Sequence, residues 1–406
     1  MKIPDGWKKV KFGDVVNKVN DKVPNRDEWT FERYIGGQHF DNGEIRVTKS
    51  NPIKGNEEVI GPAFHMRFKS GQVLYVTRNP RLRKGGMVDF DGVCSNISFV
   101  LQADETQLLQ SLLPFIIQTE DFVKHTCNNA HGSTNPFLNW KDLANFEFLL
   151  PPLDEQIKSS ETLWAIEDQI KNIDSIVNKF SSFRMKIMKE ILQTGYSKNS
   201  PLKKTELGMI PSDWNVVKIS DICNVRRGAS PRPIHNPEYF AEKGPGWIRI
   251  ANVTPAYKYL KKTTQYLSDL GASKSVRVKR GDLIMSICAT IGKPIIIDFD
   301  ACIHDGFVLF QDLKNVLMEY LFYVLLIKEK ELLSQKQVGT QGNLNTTIVG
   351  NIKFALPNTS EEQKKIISFL RLLDSELFNY QNQRVLLKSL RQKLSNEFLK
   401  GELRLK

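Results

Sequence analysis

The stretch Ile3–Val16, IPDGWKKVKFGDVV, returns 207 positions later as Ile210–Cys223, IPSDWNVVKISDIC. The ends of the two copies also match, because LLP at 149–151 and EQ at 155–156 reappear as ALP at 355–357 and EQ at 362–363. This period is far longer than the units of about 20 to 50 residues that build solenoids. The sequence therefore predicts two related domains, each followed by one long helix, in a pseudo-twofold arrangement.

The length of the chain agrees with that division. At 406 residues it exceeds one ordinary hydrophobic core, and 41% hydrophobic with 25% charged residues is typical of a folded protein. We expect five segments with the following bounds: domain 1 at 1–152, a central helix at 153–195, a linker at 196–209, domain 2 at 210–358 and a C-terminal helix at 359–406.

Each domain has the pattern of an α/β (α+β) fold with a mixed or irregular sheet. Strands are predicted at 71–77, 93–101, 281–286, 294–298 and 306–310, and shorter helices at 106–125 and 316–333. The order of the strands does not follow from these patterns.

The two long helices carry a heptad seam, with apolar residues at alternating steps of three and four. Seam residues of the first helix are Leu163, Ile166, Ile170, Ile173, Val177 and Phe180. Seam residues of the second helix are Leu370, Leu373, Leu377, Tyr380, Leu387 and Leu394. Adding 207 to Arg184 gives Arg391, so even an arginine within the seam is repeated.

Two matched apolar stripes on one chain are expected to bury each other as an intramolecular coiled coil. Simple oligomerisation is the alternative for any heptad helix. Gly195 is a plausible end for the first helix, and the short segment after it favours antiparallel packing, with the domains at opposite ends. About 39 residues at 1.5 Å each limit the separation to roughly 58 Å.

The net charge of +12 favours polyanionic partners, and residues 201–406 carry most of it. No secretory signal or membrane span is apparent, so we expect a cytoplasmic protein. The five cysteines lack a Cys-x-x-Cys pair and are interpreted as small core residues, while the six histidines lack ligand spacing. We therefore expect no metal and no cofactor.

Basic and polar loops are the positive functional signal, because Arg, Lys, Ser, Thr, Asn and Gln can bind base edges or phosphates. The basic loops of the two copies supply Arg78, Arg81, Arg83, Lys84, Arg226, Arg227, Ser230, Arg232, Lys274 and Arg277. A second pair of loops supplies Ser133, Thr134, Asn135, Thr340, Gln341 and Asn343. A charged run is also typical of a solvated face, and an ordinary turn explains the polar loops equally well.

Catalytic motifs are not apparent: the sequence lacks a P-loop, a Gly-x-Gly-x-x-Gly, a His-Glu-x-x-His and a Gly-x-Ser-x-Gly. In the order of its motifs the chain resembles the DNA specificity subunit of type I restriction-modification systems. The resemblance rests on IPDGW at 3–7, IPSDW at 210–214, RRGASPR at 226–232, GQVLY at 71–75, GDLIM at 281–285 and LPPLDEQ at 150–156.

This resemblance implies a non-catalytic reader of double-stranded DNA, with one half-site per domain and an unread spacer set by the helices. It also implies assembly with two methyltransferase subunits per chain and with restriction (translocase) subunits. Two alternatives stay open at this point. One is the recognition portion of a fused methyltransferase or nuclease, and the other is a coiled-coil adaptor that binds proteins.

Overall fold

The computed structural model describes residues 3–196, 200–335 and 344–405. The chain forms two compact units, of which the first combines two separate stretches of sequence and the second is one continuous stretch. Unit 1 consists of Met1–Ile176 and Tyr380–Lys406, and unit 2 consists of Val177–Asn379. Each unit therefore contains one of the two repeated domains together with about half of each long helix.

Unit 1 is built on two four-stranded sheets and one two-stranded sheet. Its strands are β1 (Lys8–Lys11), β2 (Val16–Val19), β3 (Arg33–Ile35), β4 (Asn51–Pro52), β5 (Phe64–Phe68), β6 (Val73–Val76), β7 (Gly85–Met87), β8 (Gly92–Ser95), β9 (Ser98–Ala103) and β10 (Glu147–Leu150). The sheet orders are β2-β9-β6-β7, β4-β3-β8-β5 and β1-β10. Most pairs are antiparallel, but β3 and β8 are parallel, so the sheets are mixed as predicted.

The short helices of unit 1 are α1 (Phe12–Val15), α2 (Leu113–Ile116), α3 (Glu120–Asn128) and α4 (Trp140–Ala144). The prediction of a single helix at 106–125 is wrong, because the helical conformation is interrupted before α3. Thr119 is extended, with φ −64° and ψ 152°, and its hydroxyl accepts a hydrogen bond from the amide of Phe122. Such an N-cap starts a new helix. The apolar spacing in 106–118 reflects burial in turns and in the single-turn helix α2.

The first long helix, α5 (Leu153–Thr194), begins after two prolines and carries Asp154 and Glu155 in its first turn, where the helix dipole favours negative charge. It ends at Thr194 and is followed by Gly195, whose φ of 77° lies in the left-handed region that glycine adopts readily.

Unit 2 repeats the plan of unit 1 with additional short elements. Its strands are β11 (Leu202–Thr205), β12 (Gly208–Pro211), β13 (Asn215–Lys218), β14 (Asn224–Arg227), β15 (Phe240–Ile248), β16 (Tyr259–Leu260), β17 (Tyr266–Leu267), β18 (Val276–Val278), β19 (Leu283–Ser286), β20 (Pro294–Ile297), β21 (Ala301–Ile303), β22 (Phe307–Gln311) and β23 (Lys353–Leu356). Its helices are α6 (Ile219–Ile222), α7 (Ile250–Val253), α8 (Asp269–Ser273), α9 (Met318–Gln335), α10 (Thr346–Gly350) and the long α11 (Ser360–Lys400).

Sheet order makes the internal repeat explicit. In unit 2 the orders are β14-β22-β19-β20-β16, β17-β15-β21-β18, β13-β23 and the hairpin β11-β12. The series β14-β22-β19-β20 reproduces β2-β9-β6-β7, and the parallel pair β15 with β21 reproduces β3 with β8. Strand β16 pairs in parallel with β20, and its counterpart in unit 1 is an isolated parallel bridge between Arg46 and Met87 of β7.

Within each unit the halves of α5 and α11 run antiparallel, as predicted. In unit 1, Glu167 pairs with Arg391 and Asp174 pairs with Arg384, so numbers rise on one helix as they fall on the other. In unit 2, Arg184 pairs with Asp374. Every residue of the predicted seams is buried or half-buried.

The junction between each domain and its long helix is also repeated. The indole N–H of Trp7 donates to Glu155, and that of Trp214 donates to Glu362. The glutamine that follows each glutamate is buried, at 0% and 1% exposure. Its side chain accepts from one backbone amide and donates to two backbone carbonyls of the preceding domain.

Three further observations concern membrane-spanning helices, metal-binding groups and the cysteines. Among the described residues, no helix is long and apolar enough to span a membrane. The same residues contain no group of three or more His, Cys, Asp or Glu arranged to hold a metal ion. Cys94, Cys223 and Cys302 are buried as predicted and Cys288 is half-buried, but Cys127 on α3 is exposed, so the prediction is wrong for that residue.

Candidate nucleic-acid interface

The first basic loop, residues 77–84, joins β6 to β7 in unit 1. Asn79 and Arg83 have left-handed φ angles of 51° and 53°, which let the chain reverse its direction within a short segment. The amide N–H of Asn79 donates to the carbonyl of Pro136 at 2.8 Å. The first basic loop is thereby held against the polar loop, residues 131–139.

This contact brings together predicted DNA-binding residues from both loops. The guanidinium of Arg78 lies 5.0 Å from the ring centroid of Phe137 and donates to the carbonyl of Asn135 at 3.4 Å. Ser133, Thr134 and Asn135 are all exposed. A guanidinium, two hydroxyls and an amide on one surface suit contacts to phosphates or base edges.

The other three cations of the first basic loop differ in their partners. Arg83 forms an ion pair with Glu120 at 2.6 Å, and its hydrogen bond lowers the pKa of that carboxyl. Lys84 donates to the carbonyl of Gly37 at 2.8 Å. Arg81 is exposed and has no ion-pair partner within the described residues. Arg78 and Arg81 are therefore the stronger candidates, and with Ser133, Thr134 and Asn135 they form what we call the unit 1 surface.

In unit 2 the second basic loop, residues 226–232, converges on Asp305. The Nε of Arg227 donates to the backbone carbonyl of Asp305 at 3.0 Å. The hydroxyl of Ser230 donates to the Asp305 carboxylate at 2.9 Å, and Arg232 pairs with the same carboxylate at 2.9 Å. One acidic residue thus positions three of the predicted DNA-binding side chains.

The electrostatic balance keeps this acid charged. Partial burial opposes ionisation of Asp305, but the Ser230 hydrogen bond, His304 and Arg232 outweigh it and lower the pKa of the carboxyl. Burial lowers the pKa of His304, and nearby arginines add to that effect against the opposing charge of Asp305. At neutral pH, Asp305 is therefore ionised and His304 is neutral, which places a fixed anion beside the exposed guanidinium groups of Arg227 and Arg232.

The remaining predicted residues of unit 2 are more dispersed. Arg226 is exposed on β14, and Arg277 is exposed on β18 of the other sheet. The amine of Lys274 lies 5.9 Å from the ring centroid of Tyr239. Thr340, Gln341 and Asn343 lie outside the described residues. Arg226, Arg227, Ser230 and Arg232 form what we call the unit 2 surface.

The two basic loops are not structural equivalents, although basic loops occur in both copies. The first basic loop follows β6, whose counterpart is β19, and the loop after β19 has Lys293 as its one cation. The second basic loop instead begins in the last two residues of β14, the counterpart of β2, and continues beyond that strand. The two units therefore present basic side chains from different positions of the same sheet plan.

Sequence reasoning missed one polar cluster beside the unit 2 surface. Trp247, Arg249 and Gln265 line a cavity of about 300 Å³. The indole nitrogen of Trp247, the Nε of Arg249 and the amide oxygen of Gln265 are buried and have no hydrogen-bond partner within the described part of the chain. The ring of Trp247 lies 5.8 Å from that of His304. The alternation of Trp247 and Arg249 at a strand end was the available signal, since such residues share a face.

The comparisons of this chain with known proteins agree on one family. The family described as "Type I restriction modification DNA specificity domain" matches residues 4–179 and again residues 211–387. The chain is 23% identical to the type I restriction enzyme MjaVIII specificity subunit of Methanocaldococcus jannaschii, over 100% of this chain and 95% of that protein. It is 26% identical to the EcoDI specificity subunit of Escherichia coli, over 44% of this chain and 40% of that protein.

Solved structures share the fold at low sequence identity. A chain from work on complex assembly and conformational transition of the type I R-M system superposes with a TM-score of 0.61 at 19% identity, covering 99% of this chain and 100% of that chain. The type I restriction-modification S subunit from M. genitalium gives a TM-score of 0.55 at 14% identity, with 98% of both chains covered.

Proposed function

Because the chain belongs to the family of type I restriction modification DNA specificity domains, matched in both repeats, we propose that it is the DNA-reading subunit of such a system. Each unit reads one half of a bipartite target, and the helix pair sets the unread spacer between the halves. The observation that supports this most directly is the meeting of Arg78 with the exposed residues 133–135 on a fixed surface of unit 1.

The two half-sites are expected to differ in sequence. The unit 1 surface uses loops that follow β6 and precede α4, whereas the unit 2 surface uses the end of β14 and the residues after it. Equivalent sheets thus present different donors, and different donors favour different base edges. A chain with two identical reading surfaces would instead favour a palindromic target.

Catalysis is assigned to partner proteins. The relatives are named as specificity subunits of restriction enzymes, which supports assembly with methyltransferase and restriction subunits around DNA. We assign two methyltransferase subunits to each chain, one for each repeat, and a cytoplasmic location where DNA is accessible. The family match over both repeats favours neither a fused methyltransferase or nuclease nor a coiled-coil adaptor.

The test is reconstitution with the methylating partner, followed by sequencing of modified positions in genomic DNA. Arg78→Ala combined with Asn135→Ala is expected to relax one half-site and leave the other intact. Arg226→Ala combined with Arg232→Ala is expected to do the converse. Each lost bidentate base contact reduces discrimination by about 1 to 3 kcal/mol.

Lys9→Ala is the matched control, because Lys9 is an exposed cation that pairs with Glu147 on the small β1-β10 sheet. It should leave both half-sites unchanged. If instead both double variants weaken binding to all sequences equally, these residues are phosphate contacts and the assignment of base reading to them is wrong. If the wild-type protein directs no site-specific methylation, the proposed function itself fails.

A further inference from the structure

A buried ionic network ties the sheets of unit 2 to its long helices. Asp374 of α11 is its centre and accepts from the Nε of Arg184 on α5 at 2.8 Å. It also accepts from the hydroxyl of Tyr257 at 2.9 Å and from the hydroxyl of Tyr323 on α9 at 2.7 Å. The amine of Lys258 lies 3.8 Å from the same carboxylate. Four separate segments of unit 2 therefore meet at one acid.

A second acid in the network joins the same parts of the unit. Glu319 on α9 pairs with Lys258 on one side. On the other side it accepts from the Nε of Arg371 on α11 at 2.9 Å. The side chains of Lys258 and Glu319 are only 8% and 9% exposed. A buried pair that also has hydrogen bonds to its remaining atoms holds its members in one geometry.

Lys258 is the member that links this network to the reading part of the unit. Its backbone carbonyl accepts from the amide of Ile296 on β20 at 2.8 Å, and β16 begins at the next residue. The position of its amine is thus determined by the sheet. The ring of Tyr257 lies 5.0 Å from the guanidinium of Arg184, so the neighbouring residue also contacts α5.

We propose that Tyr257 and Lys258 are positioning residues that fix the orientation of the unit 2 sheets on the helix pair and thereby determine which spacer length the protein accepts. We call the contact between the sheets of a unit and the long helices the joint of that unit. The inference rests on the proposed function and extends it, because it assigns spacer selectivity to the joint of unit 2 as well as to helix length. A stiff joint allows the second half-site to bind only when the DNA spacing is correct, while a loose joint samples several spacings.

The experiment uses the full chain with its methylating partner and a DNA library in which both half-sites are fixed and the spacer varies by single base pairs. The readout is the ratio of methylation at the preferred spacer to methylation at the next shorter or longer one. For Lys258→Met this ratio is expected to fall by about tenfold. That fall is only part of the affinity gain that rigid linkage of two binding sites provides. Half-site preference should not change, and Lys258→Arg should restore most of the ratio.

A second variant covers the case in which Lys258→Met fails to fold. Tyr257→Phe removes one hydroxyl from a residue that is 45% exposed and leaves every charge in place. It should lower the spacer ratio in the same direction by about threefold, as expected for the loss of one of several contacts that share a network. Arg280→Gln is the matched control, since Arg280 pairs with Asp298 at turns beside β19 and β20 and its side chain is 77% exposed.

The outcomes separate the inference from the function on which it rests. Folded variants that keep the wild-type spacer ratio would show that the network only stabilises the unit, and the inference would be wrong. A wild-type protein without half-site preference would overturn the proposed function instead. A relaxed ratio in Arg280→Gln would mean that any change in the sheets loosens spacing, which also contradicts the assignment to Tyr257 and Lys258.

Discussion

Units 1 and 2 attach equivalent sheets to the long helices with different charge arrangements. In unit 1 the segment at 43–46 supplies both an acid, Glu44, which pairs with Lys388 of α11, and a cation, Arg46, which pairs with Asp168 of α5. In unit 2 the corresponding role falls to a cation, Lys258, whose acids lie on α9 and α11. The side chains of Lys388 and Glu44 are 33% and 28% exposed, whereas those of Lys258 and Glu319 are 8% and 9% exposed.

This difference indicates that one architectural joint can be stabilised by quite different chemistry. A half-exposed ion pair contributes little to stability, because water screens its charges and two long side chains lose conformational freedom. A buried network is more costly to disrupt, because its charged groups are removed from water and depend on the members that remain. Substitution of a buried acid in unit 2 should therefore lower the free energy of unfolding more than disruption of the half-exposed pair in unit 1.

The buried arginines of the helix seam provide the largest expected effect. Arg391→Ala leaves Glu167, with a side chain 5% exposed, without its ion-pair partner and should lower the free energy of unfolding by about 3 to 5 kcal/mol. The repeat-related Arg184→Ala should lower it by about 2 kcal/mol, because Asp374 retains the hydroxyl donors of Tyr257 and Tyr323.

Chemical denaturation of the full chain measures both changes. Lys364→Ala is the control on α11, since its pair with Glu361 is exposed on both sides. Equal losses for the two arginine variants would contradict the view that the unit 2 network compensates for a missing member.

The second prediction concerns the pH dependence of the unit 2 network. Burial raises the pKa of Glu319, but hydrogen bonds from Arg371 and Lys258 outweigh burial and leave the pKa below its usual value of 4.5. The carboxylate therefore stabilises the fold above that value, and this contribution is lost as the pH falls through the lowered pKa. Glu319→Gln should lower the free energy of unfolding by about 2 to 3 kcal/mol at neutral pH.

Urea denaturation of wild type and Glu319→Gln across pH 3 to 7 tests this sign. The difference between the two proteins should be constant near neutral pH and should shrink below about pH 4.5. A difference that grows on acidification would show that the carboxyl has a raised pKa and does not act as an anion in the network.

The smallest effect is expected at the joint of unit 1. Lys388→Ala removes the half-exposed pair with Glu44 and should lower the free energy of unfolding by less than about 1 kcal/mol. The loss should nearly vanish in concentrated salt, which screens exposed charges. A salt-independent loss of several kcal/mol would mean that the two joints are equivalent after all.

Much of this architecture could be predicted from sequence because the signals were local or repeated. The matching segments at 3–16 and 210–223 predicted two copies, and the heptad seam predicted a helix pair whose antiparallel direction is confirmed within each unit. Strand positions such as 283–286 and 307–311 were close to the predicted runs, since short apolar stretches between turns are reliable strand signals.

Other features depend on contacts between distant residues, and the sequence pattern does not encode those contacts. Thr119 breaks a stretch with helical spacing because its hydroxyl caps α3. Arg83 and Lys84 have the same charge as Arg81, but Glu120 and the Gly37 carbonyl are their partners. Neither Asp305 nor Lys258 lies in a motif. Their importance follows from strand order, which places them beside loops and helices far away along the chain.

The glutamines that begin the long helices have one further consequence. Gln156 and Gln363 bind main-chain amides and carbonyls of the domains before them. A main-chain amide or carbonyl is the same whatever side chain its residue carries. These hydrogen bonds therefore tolerate extensive substitution in the loops of each domain. New reading loops can therefore evolve, or be transplanted from a relative, without redesign of the frame that carries them.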